Sequence, residues 1–273
     1  MFLQDKLSTL DRQGKAILAT NFYNFETLSG LLQAAASAKK SVILQLSEGS
    51  INYLGLDIAV AMARTSLIHH GVEGWLHLDH GSSVTMVQRC LDAGFDSVMI
   101  DASEKTFAEN VAITSEVVKL AGPYHANVEA ELGYVAKLGQ TQVVNQFTQP
   151  EEAARFVMET GVHALAVAIG SAHGFYKETP MLQLDLLEEI HRATSAALVL
   201  HGSSGIPDAQ LQAAIQRGIV KVNLATETKN IFMKTLKDVL SDNDEIDLRK
   251  VFPKATDSVK SLIAQKLAVV SPG

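Results

Sequence analysis

Short apolar runs alternate with amphipathic segments along the whole chain. Most of the runs are continuously apolar and rich in Val, Ile, Leu or Ala, which is typical of strands buried on both faces of a parallel sheet. We predict strands at residues 16–20, 41–46, 75–79, 97–101, 127–131, 164–169, 197–201 and 221–224. Apolar residues at helical spacing predict helices at residues 25–38, 57–70, 84–93, 107–120, 151–160, 182–192 and 208–217.

Eight strands that alternate with helices predict a (β/α)₈ TIM barrel, with an open doubly wound sheet as the alternative. Gly94, Gly161 and Gly218 each follow a helical pattern and precede a strand, as C-terminal capping glycines do. The segment from Glu227 onward has helical character, broken around residues 241–247 and near Pro253. We expect these additional C-terminal helices to pack on the barrel or on a neighbouring subunit, and residues 1–273 to form a single domain.

Composition excludes several classes of protein. The chain is 47% hydrophobic, with a mean hydropathy of +0.12, but no run of eighteen apolar residues predicts a membrane span. The first residues show no signal-peptide pattern, and the single cysteine, Cys90, excludes an intrachain disulfide and fits a reducing cytoplasm. A net charge of −7 argues against nucleic-acid binding, although placed donors can still hold a phosphate.

Polar residues that can carry chemistry follow or close the predicted strands. They are Asp79, His80, Asp101, Glu131, His173 and His201. In a barrel of this kind the carboxyl ends of the strands meet at one rim, where catalytic residues lie. We therefore expect these side chains to gather there.

Three imidazoles at separate strand ends, His80, His173 and His201, predict a catalytic zinc site with positions open for substrate. A lone histidine is more often a hydrogen-bonded structural residue. We assign that role to the remaining histidines outside the strand ends, which are His69, His70, His125, His163 and His191.

Asp79 precedes a predicted ligand, and its side chain can face the substrate as a general acid or base. The alternative is that Asp79 orients a ligand histidine. His77 shares the side of the strand with Asp79 and is expected in the barrel interior or in contact with a metal ligand. Asp101 and Glu131 are candidates for a second cation or for the same metal, with structural carboxylates as the alternative.

Small-residue loops after the last two strands predict a phosphate site. Residues 201–205 read HGSSG, whose N–H groups and hydroxyls can hold a phosphate, and residues 223–226 add an amide and a hydroxyl beside it. Gly174 and Lys177, which follow His173, can add an amide and a cation. Such a loop is usually only a turn, but two of them beside two metal ligands are more specific.

These segments closely resemble class II, metal-dependent fructose- and tagatose-bisphosphate aldolases, with the tagatose-bisphosphate and ketose-phosphate branch the nearest. The matching motifs are HLDH at 77–80, SVMID at 97–101, VEAELG at 128–133, GSAHG at 170–174, LHGSSG at 200–205 and NLAT at 223–226. Asn21 and Phe22, with Asn24 and Glu26, resemble the opening strand of the family. The motifs run in family order from about residue 21 to residue 226.

The resemblance implies retro-aldol cleavage of a ketose 1-phosphate or 1,6-bisphosphate to dihydroxyacetone phosphate and an aldehyde. It implies Zn²⁺ held by His80, His173 and His201, with a second or monovalent cation as a further possibility, and Asp79 exchanging a proton with the oxygen on C4. The implied substrate-binding residues are Asn24, Ser47, Gly174, Lys177, Gly202, Ser203, Ser204, Asn223, Leu224, Ala225 and Thr226. Asn223 would also contact the enediolate, and a homodimer or homotetramer is expected.

Two departures from the family pattern bear on the substrate. Residues 134–141 lack the loop carboxylate that handles the C3 proton, so another group, or Glu151 or Glu152, takes that step, or the substrate differs. Residues 248–257 match only loosely the region that holds the distal phosphate. A distal sulfonate or carboxylate, as in 6-deoxy-6-sulfofructose 1-phosphate, is therefore an alternative. Further alternatives are a zinc hydrolase of barrel fold and a non-catalytic sugar-phosphate-binding subunit.

Overall fold

Eight parallel strands close into a barrel in the computed structural model, which describes residues 1–133, 136–137, 147–176, 178–241 and 244–272. The strands are β1 Ile17–Asn21, β2 Val42–Ser47, β3 Gly74–Gly81, β4 Ser97–Ile100, β5 Asn127–Leu132, β6 Ala164–Val167, β7 Ala197–Leu200 and β8 Ile219–Leu224. Each strand pairs with its sequence neighbours, and β1 pairs with β8 through Ile17 and Lys221. The predicted TIM barrel is confirmed, and the open sheet is excluded.

The described residues form eleven α-helices around this barrel. They are α1 Leu3–Arg12, α2 Phe25–Ala38, α3 Glu48–Leu54, α4 Leu56–His70, α5 Val84–Asp92, α6 Phe107–Ala121, α7 Pro150–Thr160, α8 Leu184–Ala193, α9 Asp208–Gln216, α10 Thr226–Leu240 and α11 Leu248–Val270. A 3₁₀ turn, Gly122–Tyr124, follows α6, and Ala136–Lys137 pairs with Ala172–His173 outside the barrel. No single helix in the described part of the chain has the length and apolarity of a membrane span; only α3 and α4 together, bent by 94°, pass that test.

The barrel interior is mainly apolar at the amino ends of its strands, with Ser97 and Asn127, which begin β4 and β5 and are hydrogen-bonded to each other, as polar exceptions. Ile17, Ala19 and Ile43 point inward and are buried, and Leu3 and Leu7 of α1 cover them from below. A separate and larger apolar layer lies between the strands and the surrounding helices. The two layers hold the strands rigidly, which fixes the positions of the side chains at the opposite rim.

The C-terminal helices pack on the barrel, which was one of the two predicted alternatives, the other being a neighbouring subunit. Helix α11 lies against α2 and α10, and the α2 contact is close: a Cβ at Gly30 would lie 2.6 Å from the carbonyl oxygen of Thr256. The break predicted near Pro253 is wrong, because α11 continues through this residue. The break predicted around residues 241–247 is present between α10 and α11.

Candidate active site

Four predicted site residues meet at the carboxyl-end rim of the barrel. His80 lies on β3, Glu131 on β5, His173 in the loop after β6, and His201 directly after β7. One ligand atom from each lies within 4.8 Å of the ligand atoms of the other three. This arrangement, which we call the His/Glu cluster, brings three imidazoles and one carboxylate from four strand ends to one point.

The backbone at the end of β3 allows two adjacent residues to enter the site. Neighbouring side chains on a regular strand point to opposite faces. Here the register between β3 and β4 shifts between Leu78 and Gly81, and His80 adopts φ 53°, in the left-handed region that few non-glycine residues occupy. Asp79 therefore points into the top of the barrel while His80 reaches the His/Glu cluster.

Asp101 determines which nitrogen of His80 faces the cluster. Its Oδ2 lies 2.8 Å from His80 Nδ1, so that nitrogen carries hydrogen, and His80 Nε2 lies 3.1 Å from His201 Nδ1. Burial of His80 favours its neutral form, but the charges of Asp79, Asp101 and Glu131 outweigh burial and raise the pKa of His80 to about 9. Asp101 thus contacts a cluster histidine and is not one of the four cluster residues.

His201 is oriented from below by a second carboxylate. Glu129 Oε1 lies 2.9 Å from His201 Nε2, and Glu129 Oε2 accepts a hydrogen bond of 2.6 Å from Lys221 Nζ. Burial opposes ionisation of Glu129, yet the Lys221 ammonium holds the pKa of Glu129 well below its usual range. An ionised carboxylate only accepts, so His201 Nε2 carries the hydrogen and Nδ1 faces the cluster.

The donor set fits a divalent cation that prefers nitrogen ligands. In their neutral forms His80 and His201 both present lone pairs to the same space, because a carboxylate engages the other ring nitrogen of each. His201 Nδ1 also lies 3.6 Å from Glu131 Oε2. Imidazole and carboxylate ligands around an open position are the chemistry of a catalytic zinc site.

Asp79 is held beside the cluster by two amides. Asn21 Nδ2 donates to Asp79 Oδ2 at 2.8 Å, and Gln45 Nε2 donates to Oδ1 at 3.3 Å. Burial would raise the pKa of Asp79, but the charge of His80 and the Asn21 hydrogen bond lower it overall. Asp79 is therefore an ionised, buried carboxylate with a fixed orientation.

The loop after β7 contacts the end of β8, and these are the two segments for which a phosphate site was predicted. Ser203 Oγ donates to the carbonyl oxygen of Asn223 at 2.6 Å, and Ser204 Oγ accepts from the N–H of Glu227 at 3.2 Å. Gly202 has φ +68°, and a Cβ there would collide with the carbonyl of Ala172. The loop therefore lies tightly against the segment that carries His173.

Asn223 contacts both this loop and His201 of the His/Glu cluster. Its Nδ2 is 3.0 Å from His201 Nε2, but because that nitrogen carries the hydrogen donated to Glu129 it cannot accept one from the Asn223 amide. The buried Oδ1 of Asn223 has no hydrogen-bond partner among the described residues. A buried amide oxygen of this kind is usually satisfied, so an acceptor remains available here for a bound group.

Other predicted substrate-binding residues have visible local roles. Asn24 and Ser47 accept hydrogen bonds at the N-termini of α2 and α3, and Leu224 is fully buried. Ala225 and Thr226 lie where α10 begins, and Gly174 follows His173.

Some predicted residues and segments fall elsewhere. Lys177 and most of residues 134–141 lie outside the described residues, whereas Glu151 and Glu152 occupy the exposed first turn of α7. His77 lies in the barrel interior, fully buried, where its Nδ1 is 2.7 Å from Ser97 Oγ.

Three inward-pointing polar residues carried no predicted role, namely Glu129, Lys221 and Gln45. Each lies two residues before a residue with a predicted role, namely Glu131, Asn223 and Ser47. The period of two along a strand places such pairs on the same face, so inward-pointing polar residues were detectable from spacing.

Comparison with known proteins identifies the family. The family model described as fructose-bisphosphate aldolase class-II matches residues 3–272. The chain belongs to this family. It is an aldolase, an aldehyde-lyase that acts on a phosphosugar in carbohydrate metabolism, so the hydrolase alternative is not supported. The family is zinc-dependent, in agreement with the His/Glu cluster.

Individual relatives agree over nearly their whole length. The chain is 38% identical to a protein named as a probable fructose-bisphosphate aldolase of Bacillus subtilis, over 97% of this chain and 95% of that protein. It is 35% identical to fructose-bisphosphate aldolase of Helicobacter pylori, over 95% and 94%. The crystal structure of the YdjI aldolase of Escherichia coli K12 superimposes with a TM-score of 0.89 at 32% identity, covering 98% of this chain and 96% of that one. These names do not point specifically to the tagatose branch.

Proposed function

We propose that this aldolase catalyses the reversible, Zn²⁺-dependent cleavage of a ketose 1-phosphate or 1,6-bisphosphate to dihydroxyacetone phosphate and an aldehyde. The observation that carries the proposal is the convergence of four donor atoms within 4.8 Å beside the ionised Asp79. The same rim carries the loops that we assign to a phosphate, so metal, acid–base group and phosphate would share one face of the barrel.

Zn²⁺ held by His80, His173 and His201 would supply Lewis-acid stabilisation of the negative charge left when the C3–C4 bond breaks. Glu131 lies close enough to serve as a further ligand, or to bind the cation in a second position. We assign Asp101 to the orientation of His80 because it contacts Nδ1 directly. A second or monovalent cation near Asp101 and Glu131 remains part of the proposal.

Asp79 takes the proton from the C4 hydroxyl in cleavage and returns it in condensation. Its two amide partners fix the carboxylate, and its low pKa keeps it in the basic form that cleavage requires. Lys221 is unsuited to Schiff-base chemistry, because its ammonium is fully buried and bonded to Glu129.

The phosphate of the dihydroxyacetone phosphate half would lie against the N–H groups and hydroxyls of the loop after β7. We assign this contact to Gly202, Ser203 and Ser204, with the backbone of residues 224–226 beside them. Gly174, Lys177, Asn24 and Ser47 complete the proposed substrate contacts. Asn223 would hold the oxygen of the enediolate, since its amide lies beside His201 at the cluster.

The proposal also concerns the group that the substrate carries at its distal end. The tagatose-bisphosphate and ketose-phosphate branch is our first choice, and a ketose 1-phosphate with a distal sulfonate or carboxylate is the alternative. The loose match of residues 248–257 at the start of α11 and the absence of a carboxylate in residues 134–141 support a departure from the fructose-bisphosphate pattern. Glu151 and Glu152 are our candidates for the C3 proton.

We further propose a cytoplasmic homodimer or homotetramer that binds neither nucleic acid nor membrane. The free, buried Cys90 supports the cytoplasmic location, and the net charge of −7 argues against nucleic-acid binding. Exposed apolar side chains on α3 and α4, Tyr53, Ile58 and Ile68, offer a surface that a neighbouring subunit can cover. Light scattering of the purified protein measures the mass directly.

The test is an assay of dihydroxyacetone phosphate release from a panel of ketose phosphates. We expect a chelator to abolish cleavage, and added Zn²⁺ or Co²⁺ to restore it. Borohydride in the presence of substrate should leave the enzyme active. A trapped substrate–lysine adduct would overturn the proposal, and the substrate with the highest kcat/KM identifies the distal group.

A further inference from the structure

A fully buried ion pair lies inside the barrel, on the amino-end side of the His/Glu cluster. Lys221 on β8 and Glu129 on β5 both have 0% exposure, and their charged atoms are 2.6 Å apart. Lys221 Nζ also lies 3.3 Å from His77 Nε2, and His77 in turn contacts Ser97. The proposed aldol chemistry uses none of these side chains.

Folding alone gives little reason for charges at this depth. Two ions lose their hydration on burial, and apolar residues of similar volume often serve a core equally well. The neighbouring inward positions, such as Ala166 and Val199, are apolar. The burial of this ion pair therefore indicates that Lys221 and Glu129 have a role other than stability.

The two oxygens of Glu129 have different partners. Lys221 occupies Oε2, which leaves Oε1 for His201 Nε2 at 2.9 Å. With the ammonium on one side, the carboxylate cannot turn without losing a charge-assisted hydrogen bond. Its remaining oxygen is therefore a fixed acceptor aimed at one nitrogen of His201.

We propose that Glu129, held in place by Lys221, is a positioning residue that selects the Nε2–H tautomer of His201 and directs Nδ1 to the cation. The inference rests on the proposed metal-dependent function. Hydrogen-bonded partners on the far nitrogen of a ligand histidine typically change metal affinity by about 10–100-fold. Glu129 is shielded from solvent, so water cannot readily replace it.

A Glu129→Gln substitution should reverse the tautomer. The Lys221 ammonium only donates, so it holds the amide oxygen of the glutamine and turns the NH₂ group toward His201. His201 Nε2 must then accept, and the hydrogen moves to Nδ1, which faces the cluster. We expect Co²⁺ affinity to fall by about 10–100-fold.

The double substitution Glu129→Gln with Lys221→Met provides a rescue. Without the ammonium, the amide can present its oxygen to His201, which restores the Nε2–H tautomer. We expect the double variant to bind Co²⁺ about tenfold more tightly than Glu129→Gln alone, within the usual range of such effects. A residue that served only to fill the core would show no such recovery.

Ser97→Ala is the matched control. It removes a buried hydrogen-bonding group from the same interior, since Ser97 Oγ contacts His77 and Asn127 but not His201. We expect some loss of stability, with Co²⁺ affinity unchanged. Thermal unfolding followed by circular dichroism shows whether each variant is folded.

Two measurements test the inference. ¹⁵N chemical shifts of His201 in the metal-free protein report its tautomer, with the signal assigned from a His201→Gln variant. They are recorded at pH 10, above the pKa of His80, so that His80 Nε2 carries no hydrogen to donate to His201 Nδ1. Competition against a chelator gives the Co²⁺ affinity of each folded variant. Protonation of His201 at Nδ1 in the unsubstituted protein overturns the inference even if Glu129→Gln fails to fold.

The outcomes separate this inference from the proposed function. If the unsubstituted protein binds no Co²⁺, the proposed metal-dependent function fails. If it binds Co²⁺ and a folded Glu129→Gln variant binds equally well with His201 still protonated at Nε2, the positioning role is wrong and the metal site stands.

Discussion

The two ends of the barrel interior differ in what the same strands place there. Near their amino ends, β1 and β2 carry the buried apolar residues Ala19 and Ile43. Two residues further along each strand, on the same face, stand Asn21 and Gln45, which hold Asp79. A step of two residues along each strand thus separates the apolar core from the hydrogen-bonded site.

The difference has a direct energetic meaning. Each buried Leu or Ile side chain at the amino end contributes about 1.5–3 kcal/mol to the free energy of unfolding. Polar groups at the carboxyl end cost free energy on burial unless they are bonded, and here they are bonded mainly to one another. The barrel therefore assigns stability to one end and chemistry to the other, and substitutions at the two ends should separate these properties.

The largest effect is expected for His201→Ala. Loss of one imidazole leaves the cluster with His80, His173 and Glu131, so bound metal and cleavage activity should be lost together. Metal analysis of the purified variant, with circular dichroism as the check on folding, measures both. Full metal occupancy in an inactive variant would show that His201 acts in catalysis by another route.

The second effect, at the same end, is expected for Asp79→Ala. Asp79 lies outside the His/Glu cluster, so the variant should keep its metal while kcat falls about 10²–10⁴-fold, the usual scale for loss of a general acid or base. Steady-state assays together with metal analysis test this. Unchanged turnover would support the non-catalytic alternative, and loss of metal would make Asp79 a positioning residue.

The fold was largely predictable because its signals are local. Continuous apolar runs gave all eight strands, and helical spacing gave α2 and α4 to α9, whereas α1, Leu3–Arg12, was not predicted. Helix α3, Glu48–Leu54, was missed because seven residues are too few to show a helical period, and it starts from the Ser47 cap. Pro253 was misinterpreted because packing of α11 against α2 outweighs the local cost of a proline within a helix.

Only those site residues that lie at the carboxyl ends of predicted strands could be predicted from the sequence. The rule that carboxyl ends meet brought His80, His173 and His201 together without knowledge of any contact. It could not separate Glu131, which joins the cluster, from Asp101, which contacts His80, because that depends on side-chain reach across the barrel. The pairing of Glu129 with Lys221 joins strands 92 residues apart and needs their actual geometry.

The third effect concerns the opposite end of the barrel. Ile17→Ala removes three buried carbon atoms from the interior beside Leu3 and Leu7 and should lower the free energy of unfolding by about 2–5 kcal/mol. Metal content and kcat per folded molecule should not change. Urea unfolding and assays at low temperature measure these quantities. A fall in kcat without loss of folded protein would show that the two ends are coupled.

The smallest effect is expected for Asn24→Ala, at the rim but in a structural role. Asn24 Oδ1 accepts from the N–H of Thr27 and caps α2, so the free energy of unfolding should fall by about 0.5–2 kcal/mol. Asn24→Asp is the matched control, because it retains an acceptor at the same place. If Asn24 also binds substrate, as we propose, KM rises in both variants. If KM stays constant while the free energy of unfolding falls, Asn24 only caps α2 and does not bind substrate.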